Sequence, residues 1–422
     1  MSGRNLGELM RQVLGKQPAP RRATYSSFLD ARGEVIDQGV ALYFPAPHSY
    51  TGEDVLEMHG HGGPAVMQLL LLRCLELGAW PAQPGEFTHR AFLNDKLDLA
   101  QAESVADLID ATTAQAARSA MRSLQGDFSL AIRSLVEKLI GLRMLVEAML
   151  DFPEEEIQKP DTAHRGEQLG ALSSGLEKIL GLAQQGNLLR EGAHIVLAGK
   201  PNVGKSSLLN CLSGEEVALV SEIPGTTRDV IRQAVQIAGV PLHILDTAGL
   251  RASQDEVEQM GVARARVALQ QADAILVLLD AATGIGPDDR KILDELPPGI
   301  PRLLVYNKID LLGQQPRISQ AGEECRLYLS AKTGEGLELL RDKLLALLGW
   351  HQEAGVFMAR ERHLRALLAT RAHLRRAAEE SARPEIFAEE LRLAQGQLNS
   401  ITGEFTADDL LGEIFSRFCI GK

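Results

Sequence analysis

Between residues 199 and 206 the chain reads Gly-Lys-Pro-Asn-Val-Gly-Lys-Ser, the pattern G-x-x-x-x-G-K-[ST]. Residues of these types at this spacing hold the phosphates of a nucleotide. The glycines let successive backbone N–H groups turn inward around a phosphate, and a helix that follows adds the positive end of its dipole. Lys205 reaches the outer phosphates, and the Ser206 hydroxyl is placed to ligate Mg²⁺. The apolar run Ile195-Val196-Leu197-Ala198 reads as a strand buried on both faces, and Ser207-Leu208-Leu209 opens a helix. That strand–loop–helix context separates a phosphate site from an ordinary Gly-rich turn.

Further elements follow in an order that makes sense only together. Ile244-Leu245 ends a strand and delivers Asp246-Thr247-Ala248-Gly249, a D-x-x-G whose carboxylate holds Mg²⁺ through water and whose glycine N–H meets the γ-phosphate. The strand Leu303–Tyr306 delivers Asn307-Lys308-Ile309-Asp310. Asp310 can accept two hydrogen bonds from guanine, N1–H and the exocyclic amine, which adenine cannot offer. Ser330-Ala331-Lys332 follows another strand and backs the base, and Gly225-Thr226-Thr227-Arg228-Asp229 lies where a switch threonine belongs. The set specifies a guanine-nucleotide domain of the P-loop class. One position departs from the signalling GTPases. Leu250 follows the D-x-x-G, where those proteins carry the glutamine that orients water. Hydrolysis then requires another polar group, with Asp255, Glu256 and Glu258 as candidates, although acids there also suit a helix N-terminus. It also requires another cation, for which Asn202 and the carbonyls of Ser221-Glu222-Ile223-Pro224 are candidate ligands.

The elements around this insertion are of two kinds. Tyr25–Leu29, Val35-Ile36, Val40–Phe44 and Val55–His61 read as strands, with a turn at Asp30–Gly33 and a small turn at Gly60–Pro64 before an apolar helix over Ala65–Leu77. His59 and His61 invite a metal reading, but no further ligand stands at a convincing spacing, which favours histidines of a β-turn. Pro84–Leu99 mixes acids, bases and two Phe rings, as a linker with a helix start or a ligand pocket would. From Ala100 to about Arg190 the pattern is helical, with Leu135, Leu139, Leu142 and Val146 at helical spacing and a break at Phe152-Pro153. It returns from Glu361 to Lys422, so one discontinuous helical domain is expected around the insertion. Arg360, Arg362, His363, Arg365, Arg371, His373, Arg375 and Arg376 form a basic stretch that reads as a solvated face or an RNA-facing patch.

Composition bounds the partners. The 422 residues suffice for two or three domains, and 45% apolar with 24% charged residues describe a core-forming chain. A net charge of -12 speaks against a generic nucleic-acid binder. Cys74, Cys211, Cys325 and Cys419 are scattered without zinc spacing, which fits a reducing cytoplasm. The opening MSGRNLGELM lacks an apolar h-region, and no apolar run is long enough to span a bilayer, so a soluble cytoplasmic protein without membrane contact is expected.

Nearly the whole chain resembles the MnmE (TrmE) family of tRNA-modification GTPases. The resemblance is carried by GEDVLEMHGHGGP, PGEFTHRAFLNDKLDLAQAESVADLIDA, LLREG, GKPNVGKSSLLN, PGTTRDV, DTAGLR and LRLAQGQLNSITGEFTADDLLGEIFSRFCIGK, with the closing C-x-G-K a specific mark. It implies a multidomain α+β and α/β protein. A small α+β folate-binding and dimerisation domain would span 1–95, a helical domain 96–190 and 351–422, and an inserted P-loop GTPase domain with a parallel sheet flanked by helices 191–350. The family forms homodimers, and its G domains pair when K⁺ and GTP are bound. With the FAD-containing partner MnmG, in a heterotetramer, it adds an aminomethyl or carboxymethylaminomethyl group at C5 of the wobble uridine (U34) of certain tRNAs. The carbon comes from 5,10-methylenetetrahydrofolate or formyl-tetrahydrofolate.

Carried over by motif, the resemblance makes Glu258, Lys205 and Thr227 the catalytic set. GTP contacts fall to Asn202, Val203, Gly204, Lys205, Ser206, Ser207, Thr226, Asp246, Gly249, Asn307, Lys308, Asp310, Ser330, Ala331 and Lys332. Mg²⁺ would be held by Ser206 and Thr227, and K⁺ by Asn202, Ser221, Ile223 and Thr226. Glu57, Lys96 and Arg90 would serve the folate, and Cys419 matches the family's C-terminal cysteine, with a role in the modification or as an inert thiol. The family opens with PPGRGGVGI-R-[IV]-SG, whereas Met1-Ser2-Gly3 stands where that motif ends. The missing piece would carry an Arg of the folate pocket and a strand of the domain that pairs, so weakened or absent binding of reduced folate is expected, with upstream in-frame residues restoring it. A ribosome-assembly GTPase would need an RNA module such as a KH domain with its G-x-x-G loop, and the flanking helices show none. A non-catalytic folate-binding scaffold is separated from the enzyme by measuring GTP turnover in K⁺ and Na⁺.

Overall fold

The computed structural model describes residues 1–151, 162–213, 232–246, 269–270, 272–322, 324–351 and 355–403. The chain divides into two units: Met1–Ile109, Ser123–Ser173 and Ala366–Lys422 form the first, and Asp110–Arg122 with Ser174–Arg365 the second.

The first unit begins with an antiparallel sheet. Its strands β1 (Ser2–Gly3), β2 (Thr24–Leu29), β3 (Val35–Phe44) and β4 (Asp54–His59) lie in the order β1-β4-β3-β2. Residues of one strand face, among them Phe28, Ala41, Tyr43 and Leu56, are buried against Met10, Val13 and Leu14 of α1 (Gly7–Leu14) and Leu70 of α2 (Pro64–Glu76). The sequence reads β3 as two pieces interrupted at Asp37-Gln38-Gly39, yet it is one strand. Gly39 is there because the His59 carbonyl passes so close that a Cβ would overlap it. A glycine inside a strand can mark such an approach instead of a break. In α2 only Leu70 and Cys74 are buried, so its apolar face is wider than the core it covers. In chain order the helices α3 (Glu86–Leu93), α4 (Leu99–Asp110), α5 (Ala114–Gln125), α6 (Asp127–Asp151) and α7 (Thr162–Glu191) follow, of which most of α5 and the second half of α7 belong to the second unit. Ile132, Leu135, Leu139, Leu142 and Val146 form the buried stripe of α6.

The second unit is built on a seven-stranded sheet, ordered β10-β11-β9-β8-β5-β7-β6. The strands are β5 (Ala193–Ala198), β6 (Arg232–Ile237), β7 (Val240–Asp246), β8 (Ala274–Asp280), β9 (Arg302–Asn307), β10 (Arg317–Ala321) and β11 (Glu324–Tyr328). The expected parallel arrangement holds from β11 to β7 and gives way at both edges, where β6 and β10 run antiparallel to their neighbours. Short hairpins cause this. Ala238 and Gly239, both at positive φ, make the two-residue turn between β6 and β7. Strands β5, β8 and β9 are near-continuous apolar runs because they are covered on both faces. Described helices of this stretch include α8 (Lys205–Ser213), α9 (Pro287–Glu295) and α10 (Leu337–Leu347); α11 (Glu361–Glu379) and α12 (Pro384–Thr402) follow in the chain, and α12 packs along α6 within the first unit.

Candidate functional site

The carboxyl ends of β5, β8, β9 and β11 deliver four loops side by side, the place where open parallel sheets bind ligands. The first loop, from Gly199 to Gly204, owes its shape to backbone angles that ordinary residues avoid. Gly199 has φ 146°, Asn202 63° and Gly204 100°. A Cβ on Gly204 would overlap the Asn307 side-chain amide, and one on Gly199 would stand 2.5 Å from the Leu278 carbonyl. Only glycine fits at both positions. Lys205 opens α8 and is 8% exposed; its Nζ donates to the carbonyls of Gly199 and Lys200 at 2.8 and 3.0 Å, folded over the loop. Ser206 and Ser207 stand exposed in the first turn of the helix, and Val203 is buried.

Asn307 joins this loop to the base-side loops. It is 3% exposed; its Nδ2 donates to the Val203 carbonyl, and its Oδ1 accepts from the Lys308 and Ala331 amides, each at 2.8 Å. One side chain therefore fixes the phosphate loop, the Asn307–Asp310 segment and the Ser330–Lys332 segment together. Asp310 Oδ1 accepts from the buried Ser330 hydroxyl at 2.7 Å, which orients the carboxylate expected to read guanine. The Cys211 thiol of α8 donates to the Ala331 carbonyl, a further tie across the same junction. Lys332 is exposed beside it.

Two ion pairs of this site were not anticipated from the sequence. Lys308 Nζ lies 2.8 Å from Asp280 Oδ2, and Lys200 Nζ 2.7 Å from Asp289 Oδ2. The hydrogen bond from Lys308 holds the Asp280 carboxyl below its ordinary range, against a smaller opposing push from burial. The one available signal was a carboxylate placed directly at the end of the apolar run Ala274–Leu279.

Of the remaining expected residues, Asp246 ends β7 with its backbone opposite Leu197 of β5. Glu258, Thr226, Thr227, Gly249, Ser221, Ile223 and Cys419 lie outside the described residues, as do Leu250, Asp255 and Glu256. The three folate candidates make separate contacts. Arg90 bridges Glu86 and Glu53 at 2.6 and 3.0 Å and lines, with both and with Trp80, an open cavity of about 820 Å³. Glu57 bonds His59 at 3.3 Å, and Lys96 Nζ donates to the Pro47 carbonyl at 3.2 Å. Neither is among the residues lining that cavity. His61 Nδ1 is 2.7 Å from Asp37, whose carboxyl is held low first by the His61 backbone N–H. In the basic stretch, Arg365 pairs with Glu361, and His373 and Arg376 share Glu390. No described helix is long and apolar enough to cross a membrane.

A parallel sheet carrying this phosphate loop, with an Asn-Lys-x-Asp segment and a Ser-Ala-Lys segment tied to it through one asparagine, defines a P-loop guanine-nucleotide-binding protein. Two family models match the chain: the MnmE helical domain over residues 99–419, and the GTP-binding protein TrmE N-terminus over residues 1–96. The chain belongs to the MnmE family of tRNA modification GTPases. The tRNA modification GTPase MnmE of Nitrosomonas eutropha is 60% identical over 428 residues, covering 100% of this chain and 95% of that protein. That of Dechloromonas aromatica is 57% identical over 426 residues with the same coverage. Among solved structures, Era of Aquifex aeolicus bound to GDP and AlF4⁻ is 28% identical with a TM-score of 0.30, covering 43% of this chain and 66% of that one.

Proposed function

We propose that this GTPase is the K⁺-dependent, GTP-hydrolysing subunit of a complex that modifies the wobble uridine of tRNA at C5, acting with the flavoprotein MnmG and a tetrahydrofolate one-carbon unit. The observation that carries the nucleotide part is the Asn307 junction, which brings residues of three separate motifs into one pre-formed site. Val203, Gly204, Lys205, Ser206 and Ser207 receive the phosphates, and Lys205 exchanges its two loop carbonyls for phosphate oxygens. Asp310, steadied by Ser330, reads the guanine edge while Ala331, Lys332 and Lys308 frame the base. Ser206 and Thr227 would hold Mg²⁺, with Asp246 and Gly249 at the γ-phosphate side. Mg²⁺ supplies charge neutralisation between the outer phosphates. Asn202, at its left-handed turn in the loop, would join Ser221, Ile223 and Thr226 around K⁺. With Leu250 following the D-x-x-G, Glu258 is the group assigned to orient water.

The remaining assignments rest on the family match. Residues 1–95 form the folate and dimerisation domain, 96–190 and 351–422 the helical domain, and 191–350 the GTPase domain. Glu57, Lys96 and Arg90 serve the folate, Cys419 serves the modification, and a cytoplasmic homodimer is the working state. The test is GTP turnover in K⁺ and in Na⁺, with and without the flavoprotein. Faster turnover in K⁺ and a further change with the flavoprotein support the reading; equal rates in both salts remove the K⁺ assignment.

A further inference from the structure

The connection from β8 to α9 carries a carboxylate at each end, and each holds a lysine from a different nucleotide loop. Asp280 closes β8 and takes the Nζ of Lys308 from the base-side loop; its other oxygen accepts the Ala282 amide at 2.9 Å. Asp289 lies in the first turn of α9 and takes the Nζ of Lys200 from the phosphate loop; the same oxygen accepts the Gly286 amide at 2.9 Å. The segment between them is itself tied down, with the Ala281 amide on the Asn307 carbonyl and the Gly284 amide on the Asp280 carbonyl. Lys200 is a joint: its side chain is anchored on Asp289, while its carbonyl accepts the phosphate-binding Lys205.

We infer that Asp280 and Asp289 are positioning residues for the nucleotide, and that the 280–289 segment is a strap holding the phosphate loop and the base-side loop at a fixed separation. Neither carboxylate belongs to a nucleotide motif. A ligand that bridges two loops is retained longer when those loops are preorganised, because less freedom is lost on binding. The Lys200–Asp289 pair is the stronger anchor, since the Asp289 side chain is 5% exposed whereas Asp280 is 22% exposed and partly screened.

The experiment is dissociation of a fluorescent GDP from the full chain, followed by stopped flow. Asp289→Asn keeps an acceptor for the Gly286 amide and Asp280→Asn keeps one for the Ala282 amide, so each removes chiefly the charge facing its lysine. Dissociation should quicken about fivefold in Asp289→Asn and about twofold to fivefold in Asp280→Asn. Lys200→Met should match Asp289→Asn, and the double variant should be no faster than either single one. Lys200→Arg preserves the pair and should restore the slow rate. Lys200→Met leaves the helix start untouched, so it carries the test by itself if Asp289→Asn does not fold. Unchanged dissociation in Lys200→Met or Asp280→Asn, effects that multiply in the double variant, or Lys200→Arg as fast as Lys200→Met would each overturn the inference.

Discussion

Replacing Asn307 by alanine removes one side chain and orphans three backbone groups. The new methyl reaches none of the Val203 carbonyl, the Lys308 amide or the Ala331 amide, which Asn307 holds at 2.8 Å each. The bonds to Val203 and Ala331 are buried, and the one to Lys308 is partly so. A buried backbone group left without a partner costs about 1–3 kcal/mol. The two buried ones therefore put about 2–6 kcal/mol against the loop arrangement that receives the nucleotide. At about 1.4 kcal/mol per tenfold, GDP affinity should fall between roughly thirtyfold and 10⁴-fold. Equilibrium binding of a fluorescent GDP measures this, and amide hydrogen exchange at Ala331 and Lys308 in the nucleotide-free protein measures its cause. Asn307→Asp is the informative partner variant. It retains acceptors for both amides but sets a carboxylate against the Val203 carbonyl, so Ala331 should stay protected while affinity still drops. Affinity within threefold of wild type in Asn307→Ala, or unaltered exchange at Ala331, would refute the reasoning.

Further expectations bear on separate parts of the account. Lys205→Ala should abolish tight GDP and GTP binding while far-ultraviolet circular dichroism stays unchanged, because the ammonium folds back onto carbonyls of its own loop and does not hold the sheet together. Glu258→Ala should bind GTP nearly normally yet hydrolyse it about 10²–10³-fold more slowly in single turnover, the usual loss when one preorganised group is removed. Acid should destabilise the GTPase unit through Asp280. Its carboxyl is held below the ordinary range by Lys308, so the stabilisation is complete above that range and is lost as pH falls through the depressed native value. Thermal unfolding measured from neutral pH downward should show the loss only below about pH 4, with a shallower slope in Asp280→Asn.

The nucleotide motifs were legible because each is local: the loop Gly199–Ser206 and the segments beginning at Asp246, Asn307 and Ser330 announce themselves in a few consecutive residues. What Asn307 does was less visible, since its partners Val203 and Ala331 are far from it in the chain and meet it only through the strand order. Lys200 and Asp289 are likewise far apart in the chain, and each taken singly reads as an ordinary surface charge. The run Val35–Phe44 reads as two pieces because Asp37-Gln38-Gly39 interrupts its apolar pattern, whereas Gly39 sits within one strand where the His59 carbonyl passes close. The edges of the larger sheet followed hairpins whose turns, at Ala238-Gly239 and Gly322, carry weaker signals than the buried apolar runs of β5, β8 and β9. The wide apolar surface of α2 was evident as composition, whereas the exposure of Met67, Leu69, Leu71 and Leu72 was not.

The assignment of this site to guanine nucleotides turns on Asp310, whose carboxylate is set by the Ser330 hydroxyl at 2.7 Å. The most direct measurement is competitive binding of GDP and xanthosine diphosphate to the wild-type protein and to Asp310→Asn. Guanine presents N1–H and an amine to the carboxylate, whereas xanthine presents a carbonyl oxygen where the amine stood, which an amide donor can satisfy. The account predicts that the wild type prefers GDP and that the variant loses GDP by two or more orders of magnitude while gaining xanthosine diphosphate, a swing of roughly 3 kcal/mol or more. Retained GDP preference in Asp310→Asn would contradict it, because the base would then be read by something other than the Asn307–Asp310 segment.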